Sequence, residues 1–271
     1  MKNGCQVAES LRILFIGDIV GRPGRRAIRE ILPRICKEHQ PDFVVANGEN
    51  AAGGLGITPD VAGKLLNSEI DVLTSGNHVW NKKEIYGYLN TNPRLIRPAN
   101  YPGDPPGCGY GVFHTKSGIP VGIINLEGRI FMKNLECPFR TAKKIIRELK
   151  KEAKSIIIDF HAEATSEKQA LGWFLDGEIS ALIGTHTHVP TADERILPNG
   201  TAYITDVGMT GSIDSVIGFQ HEIVLERLLS QLPATFKVAK RNVHMQAVLV
   251  DINVSTGQAV SIARVEGKLS G

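Results

Sequence analysis

Side chains that can bind metal ions follow five short apolar segments of the sequence. Each segment is rich in Ile, Val and Leu, and each is closed by carboxylate, amide or imidazole groups. In chain order these groups belong to Asp18, Glu49, Asn50, Asn77, His78, His161, His186 and His188. This mixture of oxygen and nitrogen ligands suits Fe, Mn or Zn, and it suits neither Ca²⁺ nor a thiolate site. Because one ion cannot bind so many groups, we expect two ions that share a carboxylate.

The spacing of the last two histidines indicates how the ions would be held. His186 and His188 are two residues apart, and residues at this spacing in an extended segment point to the same side, so one imidazole can serve each ion. Two divalent ions beside Asp18 and Glu49 keep a net positive charge, which favours an anionic substrate such as a phosphate ester. Bound metal lowers the pKa of water to about 7, so a hydroxide that bridges the ions can attack phosphorus. His78, with its own ring free, is expected to protonate the leaving oxygen.

The apolar segments are predicted to be strands that alternate with helices. They are too apolar to have a solvated face, so they predict a mostly parallel sheet with helices on both sides. The predicted buried strands are residues 11–16, 43–46, 72–74, 155–160 and 181–183. In sheets of this kind the binding crevice lies beyond the carboxyl ends of the strands. Residues that are far apart in sequence can therefore converge on one site.

Local signals mark the helices that follow these strands. Thr58 and Pro59 predict an N-cap and a first-turn proline. Thr165 or Ser166 is expected to cap a later helix. Pro33 lies inside the first helical pattern and is expected to kink or shorten that helix.

The second half of the chain is richer in antiparallel signals. Hairpins are predicted over residues 195–204 and 245–265, where turn residues separate apolar runs. No repeat, low-complexity tract or Pro/Ser-rich linker divides the chain. We therefore expect one α/β domain over residues 11–268, preceded by a flexible lead over residues 1–10. The late strands could present an edge for a homo-oligomer.

Composition argues against several classes of protein. The chain has 271 residues, 42% of them hydrophobic, with 31 Lys and Arg against 28 Asp and Glu. A net charge of +3 without a basic stripe argues against a partner of duplex nucleic acid. No apolar run approaches the ~20 residues of a membrane span, and the first ten residues lack the apolar block of a signal peptide. The four cysteines form no C-x-x-C pair. We expect a cytoplasmic protein without a membrane partner.

The order of these blocks resembles the calcineurin-like metallophosphoesterases. That family has blocks G-D, G-N-H and G-H-x-H, which here are Gly17-Asp18, Gly76-Asn77-His78 and Gly184-Thr185-His186-Thr187-His188, with His161 as a separate histidine. Two positions differ from the usual pattern, because Val20 replaces the histidine of D-x-H and Glu49 replaces the second-block aspartate. With G-D-I-V-G and N-G-E-N-A, the chain is similar to the YmdB-like bacterial branch.

The resemblance implies a fold, a cofactor and an activity. The fold would be a layered α/β/β/α sandwich with mixed sheets and a metal site at the carboxyl ends of the strands. The cofactors would be two metal ions, most often Fe or Mn, with Zn as an alternative. The activity would be that of a phosphodiesterase on small cyclic nucleotides, including 2′,3′-cyclic ones, which open to nucleoside monophosphates.

The resemblance also implies a role for each matching residue. One ion would be held by Asp18, Glu49, Asn50 and His188, and the other by Glu49, Asn77, His161 and His186. Glu49 would bridge the ions, Asn50 would replace the imidazole missing at Val20, and His78 would be the proton donor.

Other interpretations of the same residues stay open. Each polar residue alone could be a helix cap or a turn residue. A nucleotide-binding regulatory protein could use the same fold with little turnover, and a monoesterase, a nuclease or a bimetallic amide or thioester hydrolase could use the same ligands. The glycines of residues 17–24 have the spacing G-x-x-x-G-x-x-G, which differs from that of a dinucleotide-binding loop.

Overall fold

A computed structural model describes residues 10–269, in which thirteen strands and six helices follow one another along the chain. The strands are β1 (Ser10–Ile16), β2 (Asp18–Ile19), β3 (Phe43–Asn47), β4 (Val72–Thr74), β5 (Tyr110–His114), β6 (Pro120–Glu127), β7 (Ser155–His161), β8 (Ala181–Thr185), β9 (Arg195–Ile196), β10 (Ala202–Ile204), β11 (Met209–Ser212), β12 (Val243–Asn253) and β13 (Ala259–Lys268). The helices are α1 (Gly21–His39), α2 (Pro59–Leu66), α3 (Ile85–Thr91), α4 (Pro138–Leu149), α5 (Thr165–Phe174) and α6 (His221–Ser230). The predicted lead over residues 1–10 lies outside the described residues, except for Ser10, which begins β1.

The strands form two mixed sheets. The first has the order β2-β11-β12-β1-β3-β4, with β13 paired to β12. Within it, β1, β3 and β4 are parallel, and β12 is antiparallel to β1. The second sheet has the order β5-β6-β7-β8-β10-β9, with its four central strands parallel. The buried strands that the sequence predicted pair in parallel within each sheet. They divide between two sheets, however, and β12 runs antiparallel through the first, so the expectation of one sheet with helices on both sides is wrong. Both predicted hairpins are present, as β9–β10 and β12–β13.

Alternating side chains explain why the sheets stack face to face. On β1, Ile13 and Phe15 pack against residues of the second sheet such as Ile157, whereas Leu14 and Ile16 pack against the helices. The strands are therefore apolar on both faces, as buried strands of layered proteins are. The helices α1 and α2 cover the first sheet, and α4 and α5 cover the second. This arrangement confirms the α/β/β/α sandwich, and the single domain over residues 11–268 stays a prediction.

The bounds of the helices can be compared with the caps and the helix break that the sequence predicted. The Thr58 hydroxyl accepts a hydrogen bond from the backbone N–H of Val61 and caps α2, as predicted. Pro33 does not shorten α1, which runs unbroken over 19 residues with Pro33 on its exposed face. The predicted cap of α5 is wrong. The N-cap is Ala164, because the short turn after β7 already brings Thr165 into the helix.

Candidate metal centre

The predicted metal-binding residues converge from both sheets. Asp18, Glu49, Asn50, Asn77 and His78 lie at the carboxyl ends of strands in the first sheet. His161, His186 and His188 lie at the carboxyl ends of β7 and β8 in the second sheet. The candidate centre therefore lies where the two sheets meet, at the edge that the sequence predicted.

One group of ligand atoms surrounds the ring of His161. His161 Nε2 lies 3.1 Å from Glu49 Oε1, 3.0 Å from Asn77 Oδ1 and 3.0 Å from His186 Nδ1. Glu49, His161 and His186 each offer one ligand atom, and these atoms all lie within 4.8 Å of one another. The group contains all four residues that the resemblance assigned to one ion.

A second group forms around Asp18 on the other side of Glu49. His188 Nε2 lies 3.7 Å from Asp18 Oδ1, which is too long for a hydrogen bond, and 3.1 Å from Asn50 Nδ2. Asp18 is fully buried, and its Oδ1 has no hydrogen-bond partner within residues 10–269. A buried carboxylate oxygen without a partner is costly, and a cation would offset that cost. The residues present therefore fit a bound metal ion.

Asn50 is oriented differently from the ligand that the sequence predicted. Its Oδ1 lies 2.9 Å from His78 Nδ1, and its Nδ2 faces Glu49 and His188. The predicted ligand is the amide oxygen, and turning the amide by half a rotation would exchange the two atoms. The role of Asn50 as a ligand stays a prediction.

Two of the histidines have their outer nitrogens occupied, which directs the inner ones toward the cluster. His188 Nδ1 donates to the Ile217 carbonyl at 2.9 Å, so its Nε2 faces Asp18. His186 Nε2 lies 3.0 Å from Glu163 Oε2, while its Nδ1 faces His161. Contacts of this kind commonly orient the histidine ligands of metal ions.

The backbone around these histidines corrects the argument from spacing. His186 has φ of 97° and His188 has φ of 64°, both in the left-handed region. Residues 186–188 are therefore not extended, and the rule for alternate residues does not apply to them. Their rings reach the centre because the loop turns sharply, and left-handed non-glycine residues are costly and concentrate at functional sites.

Electrostatics within the cluster favours positive charge at His161. Burial alone would lower the pKa of His161, but the nearby carboxylates, Glu49 above all, outweigh it and raise the pKa to about 9. The pKa of Glu49 lies well below its usual value because His161 and His78 overcome the effect of burial. Burial, with the charge of His161, lowers the pKa of His186 to about 3, and burial raises that of Asp159 to about 7. The buried Glu49 carboxylate is stabilised by a positive charge beside it. Either a proton or a metal ion on His161 Nε2 would supply that charge.

Gly76 allows the cluster to close. A Cβ atom at this position would lie 2.3 Å from the His161 ring and 2.4 Å from Glu49 Oε2. No side chain fits at such distances, so the G-N-H block needs glycine for close approach rather than for a turn.

His78 faces an open cleft beside the cluster. Its backbone N–H donates to Glu49 Oε2 at 3.1 Å, and its Nδ1 contacts Asn50, so the ring is not free as expected. Its Nε2 has no hydrogen-bond partner in the described part of the chain, and the side chain is 28% exposed. The cleft has a volume of about 220 Å³ and is also lined by Ile217 and Phe219. His78 therefore has one nitrogen available to a molecule in the cleft.

A family model described as YmdB-like protein matches residues 14–265. The chain belongs to the YmdB-like family. A relative named 2′,3′-cyclic-nucleotide 2′-phosphodiesterase, from Bacillus subtilis (strain 168), is 48% identical over 255 residues, which are 94% of this chain and 96% of the relative. The resemblance inferred from the motifs is thus confirmed.

Solved structures of similar proteins share the fold. A hypothetical protein from Thermus thermophilus superposes with a TM-score of 0.89 at 40% identity, covering 96% of this chain and 100% of that one. A structure described as a novel phosphatase from Mycoplasma pneumoniae also gives a TM-score of 0.89, at 33% identity, over 96% of this chain and 94% of that one.

The sequence did not reveal every residue at the centre of this YmdB-like protein. Glu163 follows His161 by two residues, and this proximity to a predicted ligand is the sequence signal for its position. Ile217 holds His188 through its backbone carbonyl, for which a sequence carries no signal. Phe219 comes from a loop whose path depends on the tertiary structure.

Proposed function

We propose that this YmdB-like protein is a metal-dependent phosphodiesterase that hydrolyses cyclic nucleotides, with 2′,3′-cyclic nucleotides as the principal substrates. Family membership and the names of its relatives make the chain a phosphoric ester hydrolase. The Bacillus relative is named for the 2′,3′-cyclic substrate. The observation that carries the proposal is the convergence of Glu49, His161 and His186 beside a small open cleft.

Two groups of residues would hold two ions. Asp18, Asn50 and His188 would hold one, Asn77, His161 and His186 would hold the other, and Glu49 would bridge them. The donors suit Fe, Mn or Zn, and the family resemblance favours Fe or Mn, with Zn as an alternative. When bound, the ions would supply charge stabilisation and a hydroxide nucleophile at neutral pH. The unpartnered oxygen of Asp18 is the local feature that supports this arrangement.

His78 would provide the proton for the leaving group. Its Nε2 faces the cleft, and its Nδ1 is held by Asn50 at 2.9 Å, so the ring is oriented rather than free to rotate. The nitrogen that faces the cleft can protonate the departing ribose oxygen, which is a poor leaving group without a proton. The ring phosphate would then open to a nucleoside monophosphate.

The experiment that tests the proposal compares substrates on protein with a measured metal content. We expect faster hydrolysis of 2′,3′-cyclic than of 3′,5′-cyclic nucleotides, and faster hydrolysis of bis(nitrophenyl) phosphate than of mononitrophenyl phosphate. Protein that holds nearly two ions and hydrolyses none of these esters would instead support the nucleotide-binding regulator. Preference for the mononitrophenyl ester would indicate a monoesterase.

The location and the oligomeric state are proposed from the sequence. No helix within residues 10–269 is long and apolar enough to cross a membrane. A cytoplasmic location and a homo-oligomer stay predictions. Among the described strands, β13 pairs only with β12. Its other side would be the edge through which a homo-oligomer could form.

A further inference from the structure

A buried chain of hydrogen bonds runs behind His161, away from the cleft. His161 Nδ1 lies 2.9 Å from Thr185 Oγ1, and Thr185 Oγ1 donates to Asp159 Oδ1 at 2.7 Å. All three residues are 0% exposed. Asp159 and His161 lie on β7, and Thr185 is the residue opposite His161 on β8. The strand pairing itself therefore brings the three side chains together.

The direction of each hydrogen bond follows from counting protons. Both oxygens of Asp159 accept hydrogen bonds, Oδ1 from the Thr185 hydroxyl and Oδ2 from Asn47 Nδ2. The one proton of the Thr185 hydroxyl is therefore given to Asp159, so toward His161 the hydroxyl can only accept. His161 Nδ1 must therefore carry a proton and donate it. In a neutral imidazole this leaves the lone pair on Nε2, the atom that faces Glu49 and Asn77.

Asn47 is a second side chain close to His161 Nδ1 that could have changed this assignment. Its Nδ2 lies 3.4 Å from His161 Nδ1, but its two protons are directed to the Ser75 carbonyl at 3.2 Å and to Asp159 Oδ2 at 3.0 Å. Its Oδ1 accepts from the backbone N–H of Glu49 at 3.0 Å, which fixes the amide orientation. No Asn47 proton is left for Nδ1, so Thr185 sets the protonation of that nitrogen.

We infer that Thr185 and Asp159 are positioning residues that hold His161 in the tautomer whose Nε2 is free to bind a metal ion. This inference rests on the proposed metal centre. His186 and His188 contact an acceptor directly through their outer nitrogens, whereas His161 depends on a hydroxyl relay sealed from solvent. In Thr185→Val the added methyl group would fill the space of the hydroxyl, so we expect no water molecule to restore the relay.

The test compares three threonine variants of the full chain at pH 8. Thr185→Val keeps the shape and removes the relay, Thr185→Ser keeps the hydroxyl, and Thr210→Val is the matched control because the buried Thr210 hydroxyl has no partner in the described structure. Metal affinity is measured by calorimetry with Mn²⁺, and metal content by elemental analysis. We expect Thr185→Val to bind one of the two ions about 10- to 100-fold more weakly. Thr185→Ser and Thr210→Val should stay close to wild type.

Several outcomes would overturn the inference. Unchanged Mn²⁺ affinity in Thr185→Val would do so, and so would equal losses in Thr185→Ser or in Thr210→Val. Failure of wild-type protein to hydrolyse phosphodiesters while it binds two ions would contradict the proposed function and leave the relay intact.

A spectroscopic measurement on unaltered protein covers the case in which Thr185→Val does not fold. In Zn²⁺-loaded protein with ¹⁵N-labelled histidine, we expect the ring shifts of His161 to show a metal-bound Nε2 and a protonated Nδ1. A metal-bound Nδ1 would refute the inference directly.

Discussion

His161 Nε2 and Glu49 Oε1 lie 3.1 Å apart, although His161 ends β7 of the second sheet and Glu49 follows β3 of the first. Both side chains are completely buried. An ion bound between them would therefore connect the two sheets as well as prepare the site for chemistry. Metal binding and folding stability should be linked for this reason.

Removal of metal is expected to lower the melting temperature. A ligand present at a hundred times its dissociation constant stabilises a protein by about 2.7 kcal/mol, which corresponds to roughly 5–10 °C for a domain of this size. Scanning calorimetry before and after chelation would measure the shift, and added Mn²⁺ should reverse it. Equal melting temperatures for metal-loaded and metal-free protein would show that the ions do not connect the sheets.

Substitution of His78 should slow the hydrolysis of esters with poor leaving groups more than that of esters with good ones. We expect His78→Ala to keep its metal content and to lose about 10²- to 10⁴-fold in turnover of 2′,3′-cyclic nucleotides, because ribose oxygen needs a proton to depart. Turnover of bis(nitrophenyl) phosphate should change little, since nitrophenolate leaves unaided. His114→Ala, at an exposed position on β5, is the control. An equal loss on both substrates would remove His78 from the role of proton donor.

The positions of the site residues were predictable because they depend on strand ends. An apolar run and the polar residue that closes it are local in the sequence, and parallel strands bring such ends to one edge. The division of the strands between two sheets is not local. It depends on which strands pair, and β12 reaches β1 from more than two hundred residues away.

The helix α6 also could not be predicted from the sequence. Only Val224 is buried in it, while Leu225, Leu228 and Leu229 are 50%, 63% and 85% exposed. A helix that packs little against the core does not show the buried apolar face by which helices are predicted. The loop before α6 supplies Ile217 and Phe219 to the cleft, so this part of the site could not be predicted either.

Addition of one methyl group at Gly76 should disrupt the centre. In Gly76→Ala the new Cβ would overlap the His161 ring and the Glu49 carboxylate, so both ligands must move. We expect loss of metal by elemental analysis and destabilisation of about 1–3 kcal/mol from overpacking. Gly63→Ala is the control, because its Cβ would meet only the Tyr88 hydroxyl at 3.9 Å. Full metal content in Gly76→Ala would mean that the cluster is looser than these distances indicate.

The ion pair between Arg12 and Asp251 should make the free energy of unfolding depend on pH in the acid range. A hydrogen bond from Arg12 Nε at 2.7 Å lowers the pKa of Asp251, so folding favours its ionised form. This stabilisation is present above the pKa that an aspartate has in the unfolded chain, about 3.9. It is lost as the pH falls through the lower pKa of Asp251 in the folded protein. Because both side chains are partly exposed, Asp251→Asn should cost less than about 1 kcal/mol in urea unfolding at pH 7. The difference from wild type should shrink toward pH 3, and a difference independent of pH would rule out this origin.

A buried ion pair beneath the His186–His188 loop should link stability to the metal centre. Asp206 Oδ2 accepts from Lys168 Nζ at 2.8 Å, from the Thr187 hydroxyl at 2.7 Å and from the Thr187 backbone N–H at 3.1 Å. Asp206→Asn would leave the buried Lys168 without its counter-charge, which typically costs about 3–5 kcal/mol. It would also weaken the anchor of the strained loop that carries His186 and His188, two of the proposed metal ligands. We expect lower resistance to urea together with weaker Mn²⁺ binding. A second change, Lys168→Met, should recover stability because it removes the unpaired charge, but it should not restore metal affinity, since the anchor at Thr187 stays weakened. Recovery of both properties would show that the ion pair acts on stability alone.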